Sequence, residues 1–167
     1  MNRLHSGVLV ILLLPSLCSA KEAGEDSIIS AYLFNFVKYL SWKQPVSNGS
    51  VNLCVYQKVN SSIQKLHNKN SPKGRINVIR YSGKQASNLC DLLFVDKSNY
   101  SADIVRSSAR ENIITISDHP SFIRHGGMIG FIKRSGKVKF DISLKNINRD
   151  AIYINSKLLD VANHVEQ

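Results

Sequence analysis

Four short apolar runs, VNLCVY (51–56), INVIRY (76–81), CDLLFV (90–95) and NIITIS (112–117), recur through the middle of the chain and constrain its fold more than any other feature. Each is short and apolar and bounded by polar or turn-forming residues, so each reads as a strand. SSIQKLHNK follows the first run and reads as a short helix, and SNYSADIVRSSAR (98–110) follows the third as a longer one. Strands separated by helical stretches pair in parallel, and a parallel sheet has to be covered on both faces. The near-continuous apolar character of DLLFV and IITI fits strands buried on both sides. The expected class is α/β: a single-domain sandwich, its mostly parallel sheet covered by helices.

The flanks have other periods. SIISAYLFNFVKYLSW (27–42) places Ile29, Tyr32, Leu33, Phe36, Val37 and Leu40 at helical spacing, with Asp26 or Ser27 as N-cap and KQPVSNGS as the stop. Tyr32, Phe34, Phe36, Tyr39 and Trp42 do not all fit one helical face, so some of them turn outward or onto a partner. Past the fourth run, Asp118 is read as the cap of a short helical turn, HPSFIR, with Pro120 in its first turn. HGGMIGFIKRSGKVKFDIS then predicts an antiparallel hairpin, because RSGK is a tight turn and Val138, Phe140 and Ile142 alternate with Lys137, Lys139 and Asp141. NSKLLDVANHVEQ (155–167) predicts a closing amphipathic helix on Leu158, Leu159, Ala162 and Val165, capped by Asn155 or Ser156. No repeat, low-complexity tract or linker divides the chain.

The first residues are of another kind. MNRLH carries one arginine, SGVLVILLLPSL is an apolar run too short to span a bilayer, and LPSLCSA ends in small residues before Lys21. This is the pattern of a secretory signal peptide, residues 1–20, with Cys18 and Ala20 at −3 and −1 of the cut. A lipoprotein signal, which would retain Cys18, fits less well, since Leu17 precedes that cysteine and Pro15 stands where a Leu is wanted. The mature chain is then residues 21–167, exported, with Cys54 and Cys90 as its only thiols. In an oxidising compartment two such cysteines are most simply a structural disulfide, the alternative being two buried free thiols. The net charge of +10 favours anionic partners: an acidic protein face, phospholipid or lipopolysaccharide head groups. Nucleic acid is not expected outside the cytoplasm.

Catalytic signatures are absent. There is no G-x-S-x-G elbow, no phosphate-binding loop, no dinucleotide fingerprint and no H-E-x-x-H. The densest cluster of reactive side chains is SDHPSFIRHGGMIG, with Asp118, His119, Ser121, Arg124 and His125. Its two histidines lack a third ligand, and its glycines serve equally well to turn the backbone into the hairpin, so no catalytic or metal-binding residue is assigned and no cofactor is expected.

AYLFNFVKYLSW, LCVY, CDLLFVDKS, ITISDHPSFIRHGGMIGFI, VKFDISL and INSKLLDVA are similar, in that order, to the pattern of the YfiR family of exported bacterial proteins, over about residues 30–165. The resemblance implies a periplasmic α/β domain, a disulfide between Cys54 and Cys90, and a regulatory role. In that family an exported domain holds a membrane-bound diguanylate cyclase of the YfiN type inactive. An outer-membrane lipoprotein of the YfiB type relieves the grip, which raises cyclic di-GMP and favours biofilm growth. The chain departs from the pattern at Ser143, where an Asn is expected, and at Ala151, where a Gly usually stands. It also lacks the additional cysteines found near the GGM turn, which excludes a second bridge.

The reading is therefore a non-enzymatic periplasmic regulator that docks on the periplasmic part of an inner-membrane diguanylate cyclase or another sensor protein. The contact is expected through Tyr32, Phe36, Tyr39 and Trp42 of the first helix and through Phe122, Arg124, His125 and Met128 around the hairpin. The same helix would serve a homodimer. The alternative is a small-ligand receptor whose cleft is lined by the segments after the third and fourth runs, Asp96 to Asn99 and Ser117 to His119. A hydrolase using Asp118, His119 and Ser121 ranks last.

Overall fold

The computed structural model describes residues 17–43, 49–84 and 89–167. The leader before Leu17 and most of the KQPVSNGS segment lie outside the described residues.

Helix α1 (Leu17–Tyr39) buries Ile29, Leu33, Phe36 and Val37 on one face, as their spacing requires. It runs through Asp26 and Ser27, which therefore do not cap it, and it stops three residues before the expected end. Leu40–Trp42 form strand β1, antiparallel to β9 (Ile152–Ile154), with Trp42 opposite Ile152. The backbone bonds lost by unwinding are replaced locally: Asn155 N–H donates to the Tyr39 carbonyl at 3.0 Å and Lys43 N–H to that of Ala151 at 2.9 Å.

The main sheet has eight strands in the order β10-β8-β7-β6-β5-β2-β4-β3. Its centre is parallel: β2 (Ser50–Tyr56) lies between β4 (Gly74–Tyr81) and β5 (Leu92–Val95), and β6 (Ile114–Ser117) lies beyond β5. Here the four apolar runs take the places their composition predicts. Helix α2 (Ser61–Gln64) is shorter than expected, and the chain turns after it into the small strand β3 (Asn70–Ser71), antiparallel to β4. Helix α3 (Ala102–Arg110) is capped by Ser101, and Ser98 and Asn99, expected to begin it, belong instead to a separate 3₁₀ turn, Lys97–Asn99, capped by Asp96.

Strand β7 (Ile129–Arg134) is parallel to β6 and turns through Ser135 and Gly136 into antiparallel β8 (Lys137–Ser143), the predicted hairpin. Helix α4 (Ser156–Val161) begins at the predicted Asn155 cap but ends before Ala162. The last residues, expected to be helical, form β10 (His164–Glu166), parallel to β8.

Alternation along each strand sorts side chains into two cores. Leu53, Val55, Leu92, Phe94, Ile114 and Ile116 join α1 in the larger one, where the Phe36 ring meets Phe140 and Phe131 with centroids 5.0 and 5.8 Å away. Cys54, Leu93, Val95 and Ile113 point the other way, toward Val105 of α3 and Phe122. Cys54 and Cys90 form a disulfide in this second layer, their Cα atoms 5.6 Å apart.

Candidate functional site

The chain leaves β2 outward to β4, then returns past β2 to β5 and β6, so the connections from neighbouring β2 and β5 depart to opposite sides. Such a reversal opens a crevice at the carboxyl ends of the strands. A cavity of about 310 Å³ lies there, large enough for a small ligand. Lys58 and Asn60 follow β2 on one side, Asp96 to Asn99 follow β5, Asp118 follows β6, and Glu25 and Ile29 close it from α1. Of these, only Asp96 to Asn99 and Asp118 were legible as cleft residues. Lys58 and Asn60 obey the same strand-end rule and were missed, while Glu25 precedes the stretch read as the first helix.

A second cavity of about 350 Å³ adjoins it, lined by Pro120, Phe131, Ile132 and Val138, and the two share Glu25, Lys97 and Asp118. Those shared residues are fixed by charge: Lys97 Nζ lies 3.4 Å from Asp118, and Lys133 Nζ lies 2.6 Å from Glu25. Asp118 also accepts from the Lys97 N–H at 2.6 Å, so it braces the β5 loop and does not cap the HPSFIR turn. Burial holds its carboxyl above the usual range, outweighing the hydrogen bond and the ammonium of Lys97.

Beside the crevice, the Tyr100 ring stacks on His119 with centroids 3.9 Å apart, and its hydroxyl lies 3.0 Å from His125 Nδ1. Asp118, His119 and Ser121 do not form a relay. His119 Nδ1 accepts from the Ser121 N–H at 3.3 Å, and Ser121 Oγ accepts from Arg124 at 2.9 Å. Among the described residues, no three His, Cys, Asp or Glu side chains converge as metal ligands. The glycines have a structural use: Gly126 holds φ +91° to end a 3₁₀ turn, and a side chain at Gly127 would collide with the Phe122 ring.

The eight residues expected to meet a partner divide by burial. Phe36, Phe122 and Met128 lie wholly inside the two cores and present no surface. Tyr32 is half-buried with its hydroxyl donating to the Val138 carbonyl, and Tyr39 and Trp42 are half-buried against the α1 core. The buried Trp42 Nε1 has no hydrogen-bond partner among the described residues. Arg124 and His125 are exposed side by side on the 3₁₀ turn Ile123–His125.

Taken together, an α/β domain whose strand ends form a small mixed-polarity crevice, and whose most reactive side chains are tied into loop-bracing bonds, has the construction of a binding domain. The chain belongs to the YfiR/HmsC-like family, whose model matches residues 26–163, from the middle of α1 to the end of α4. That family is regulatory and periplasmic. No curated protein matches the chain. Among the described residues no helix is long and apolar enough to cross a membrane.

Proposed function

We propose that this chain, cut before Lys21, is a periplasmic regulator that docks on the periplasmic portion of an inner-membrane signalling enzyme and represses a diguanylate cyclase, lowering cyclic di-GMP. The family match across the folded domain carries this reading. The exposed pair Arg124 and His125, the latter bonded to the Tyr100 hydroxyl, forms the centre of the docking patch: arginine and tyrosine are among the residue types that most often carry the energy of an interface. Tyr39 and Trp42 lie at the other end of α1 and serve a second copy.

The test is capture from detergent-solubilised membranes by residues 21–167, with bound proteins identified by mass spectrometry. A cyclase or histidine kinase with a periplasmic domain is expected, and Arg124→Glu should weaken its capture by at least about tenfold, roughly 1.4 kcal/mol. Capture of no membrane protein, or capture indifferent to Arg124, would count against the proposal. The crevice favours a second reading, a small ligand bound at the strand ends that sets the strength of docking. A compound that raises the melting temperature of the wild type but not of Lys58→Ala would support it.

A further inference from the structure

Residues 133–139, at the tip of the β7–β8 hairpin, carry Lys133, Arg134, Lys137 and Lys139 and no acid, and all four are exposed; the hairpin's acid, Asp141, lies at its base opposite Gly130, where it accepts from the Asn163 side chain. Its register places Arg134 opposite Lys137 and Ile132 opposite Lys139, so Arg134, Lys137 and Lys139 share one face of the ribbon. Lys133 points to the other face, where it pairs with Glu25. Among the described residues none of the remaining three forms a salt bridge. Bringing three like charges together without acids between them is unfavourable in isolation, and an anionic surface relieves it.

The lack of an apolar anchor decides which surface. A protein interface is centred on an apolar or aromatic anchor, and the large exposed hydrophobic residues, Ile28, Leu89, Tyr153 and Val161, all lie off the hairpin. Charge without an anchor suits a fluid layer of head groups, which adapts to flexible lysines and needs no shaped partner.

We propose that the β7–β8 hairpin binds anionic lipid head groups through Arg134, Lys137 and Lys139, holding the mature domain against the membrane surface. The binding is electrostatic and reversible, with no apolar insertion. It places the crevice, which opens at the same strand ends, toward the membrane.

The test is co-sedimentation of residues 21–167 with vesicles of phosphatidylcholine alone or with one-third phosphatidylglycerol. Wild type is expected to sediment with the anionic vesicles only and to be released by salt. Lys137→Glu with Lys139→Glu should lower partitioning by about 25-fold or more, since each basic residue near such a surface contributes about fivefold. A control pair of equal charge change on exposed residues elsewhere, Lys65→Glu with Lys157→Glu, should retain most of the binding, and both pairs should melt as the wild type does. Equal loss in the two pairs would overturn the proposal in favour of diffuse net charge, and sedimentation with neutral vesicles or with neither would overturn it outright. So would a hairpin pair that keeps vesicle binding but loses capture of a membrane protein, because the hairpin would then be a protein site.

Discussion

At the scale of single residues, type and spacing showed which side chains carry apolar surface but not which way each one faces. Phe36 was expected at an interface because α1 carries more aromatic rings than one face can bury, and Phe122 and Met128 because they flank Arg124, yet each fills a core. Phe122 is held inward by the close approach of Gly127, a contact invisible in one dimension. Arg124 and His125 are exposed because a 3₁₀ turn three residues long leaves its polar side chains no interior to enter. Asp91 went unremarked in the sequence and is the most perturbed acid of the described set. It follows Cys90, accepts from the Asn52 N–H at 2.7 Å, and is pushed by burial up to about 6 against that hydrogen bond. Unfolded, the carboxyl returns to about 3.8. The native state therefore binds more protons between about 3.8 and 6, and the stability this group lends at low pH is lost as pH rises through that window. Asp91→Asn keeps an acceptor for Asn52 and removes the charge. It should raise stability by about 1 to 2 kcal/mol at pH 7, discounted for the solvent still reaching the group, and by nothing measurable at pH 3.5. Urea melts of both proteins across that range test this, and an equal gain at both pH values would remove charge burial as the cause.

At the scale of elements, what proved legible was what the hydrophobic period states directly: α1, the four parallel strands, α3 and the hairpin. What failed was short and decided by distant pairing. Leu40, Ser41 and Trp42 continue the helical spacing of α1, but β9 offers them a partner more than a hundred residues away, and propensity yields to it. The last residues fail for the same reason. Leu158, Leu159, Ala162 and Val165 fit a helix, yet Asn163 donates from its N–H to the Phe140 carbonyl at 2.8 Å and from its side chain to Asp141 at 2.7 Å, which drags the chain onto the edge of β8. Glu166 then accepts from Ser143 Oγ at 2.8 Å and pairs with Lys145. Ser143, where the family pattern has an Asn, thereby supplies the hydroxyl that anchors this strand. Deleting residues 164–167 should cost about 2 kcal/mol, two to four net hydrogen bonds' worth, and leave β8 as an open edge. Denaturant midpoints measure the first effect and light scattering on storage the second. An unchanged midpoint would show that β10 only lies against the sheet.

At the scale of the whole molecule, the two faces of the sheet are unequally provided for. The α1 side holds a broad core running from Ile29 to Leu158, with the phenylalanine cluster at its centre. Among the described residues the α3 side buries Leu93, Val95, Val105, Ile113, Tyr81 and Phe122 around the two cysteines, with Tyr56, Ile79, Tyr100, Ile104 and Ile123 partly buried against them, beneath a nine-residue helix. A layer that thin gains most from a covalent tie, and the disulfide crosses it from the middle of β2 to the approach of β5, closing a separation of 36 residues. A loop of that length makes the bridge worth about 3 to 4 kcal/mol in the chain-entropy picture. Cys54→Ala with Cys90→Ala should lower global stability by that amount, and hydrogen exchange should report the loss unevenly. Amides of α3 and of residues 117–128 should lose protection first, while those of α1 between Ile29 and Val37 stay protected until the whole domain opens. The proposed docking patch centred on Arg124 sits on the braced side, since Tyr100 packs on Phe122 in that layer. Reduction should therefore weaken partner capture at a temperature where the reduced domain is still folded, whereas uniform loss of protection across both layers would mean the bridge stabilises the fold without favouring that face.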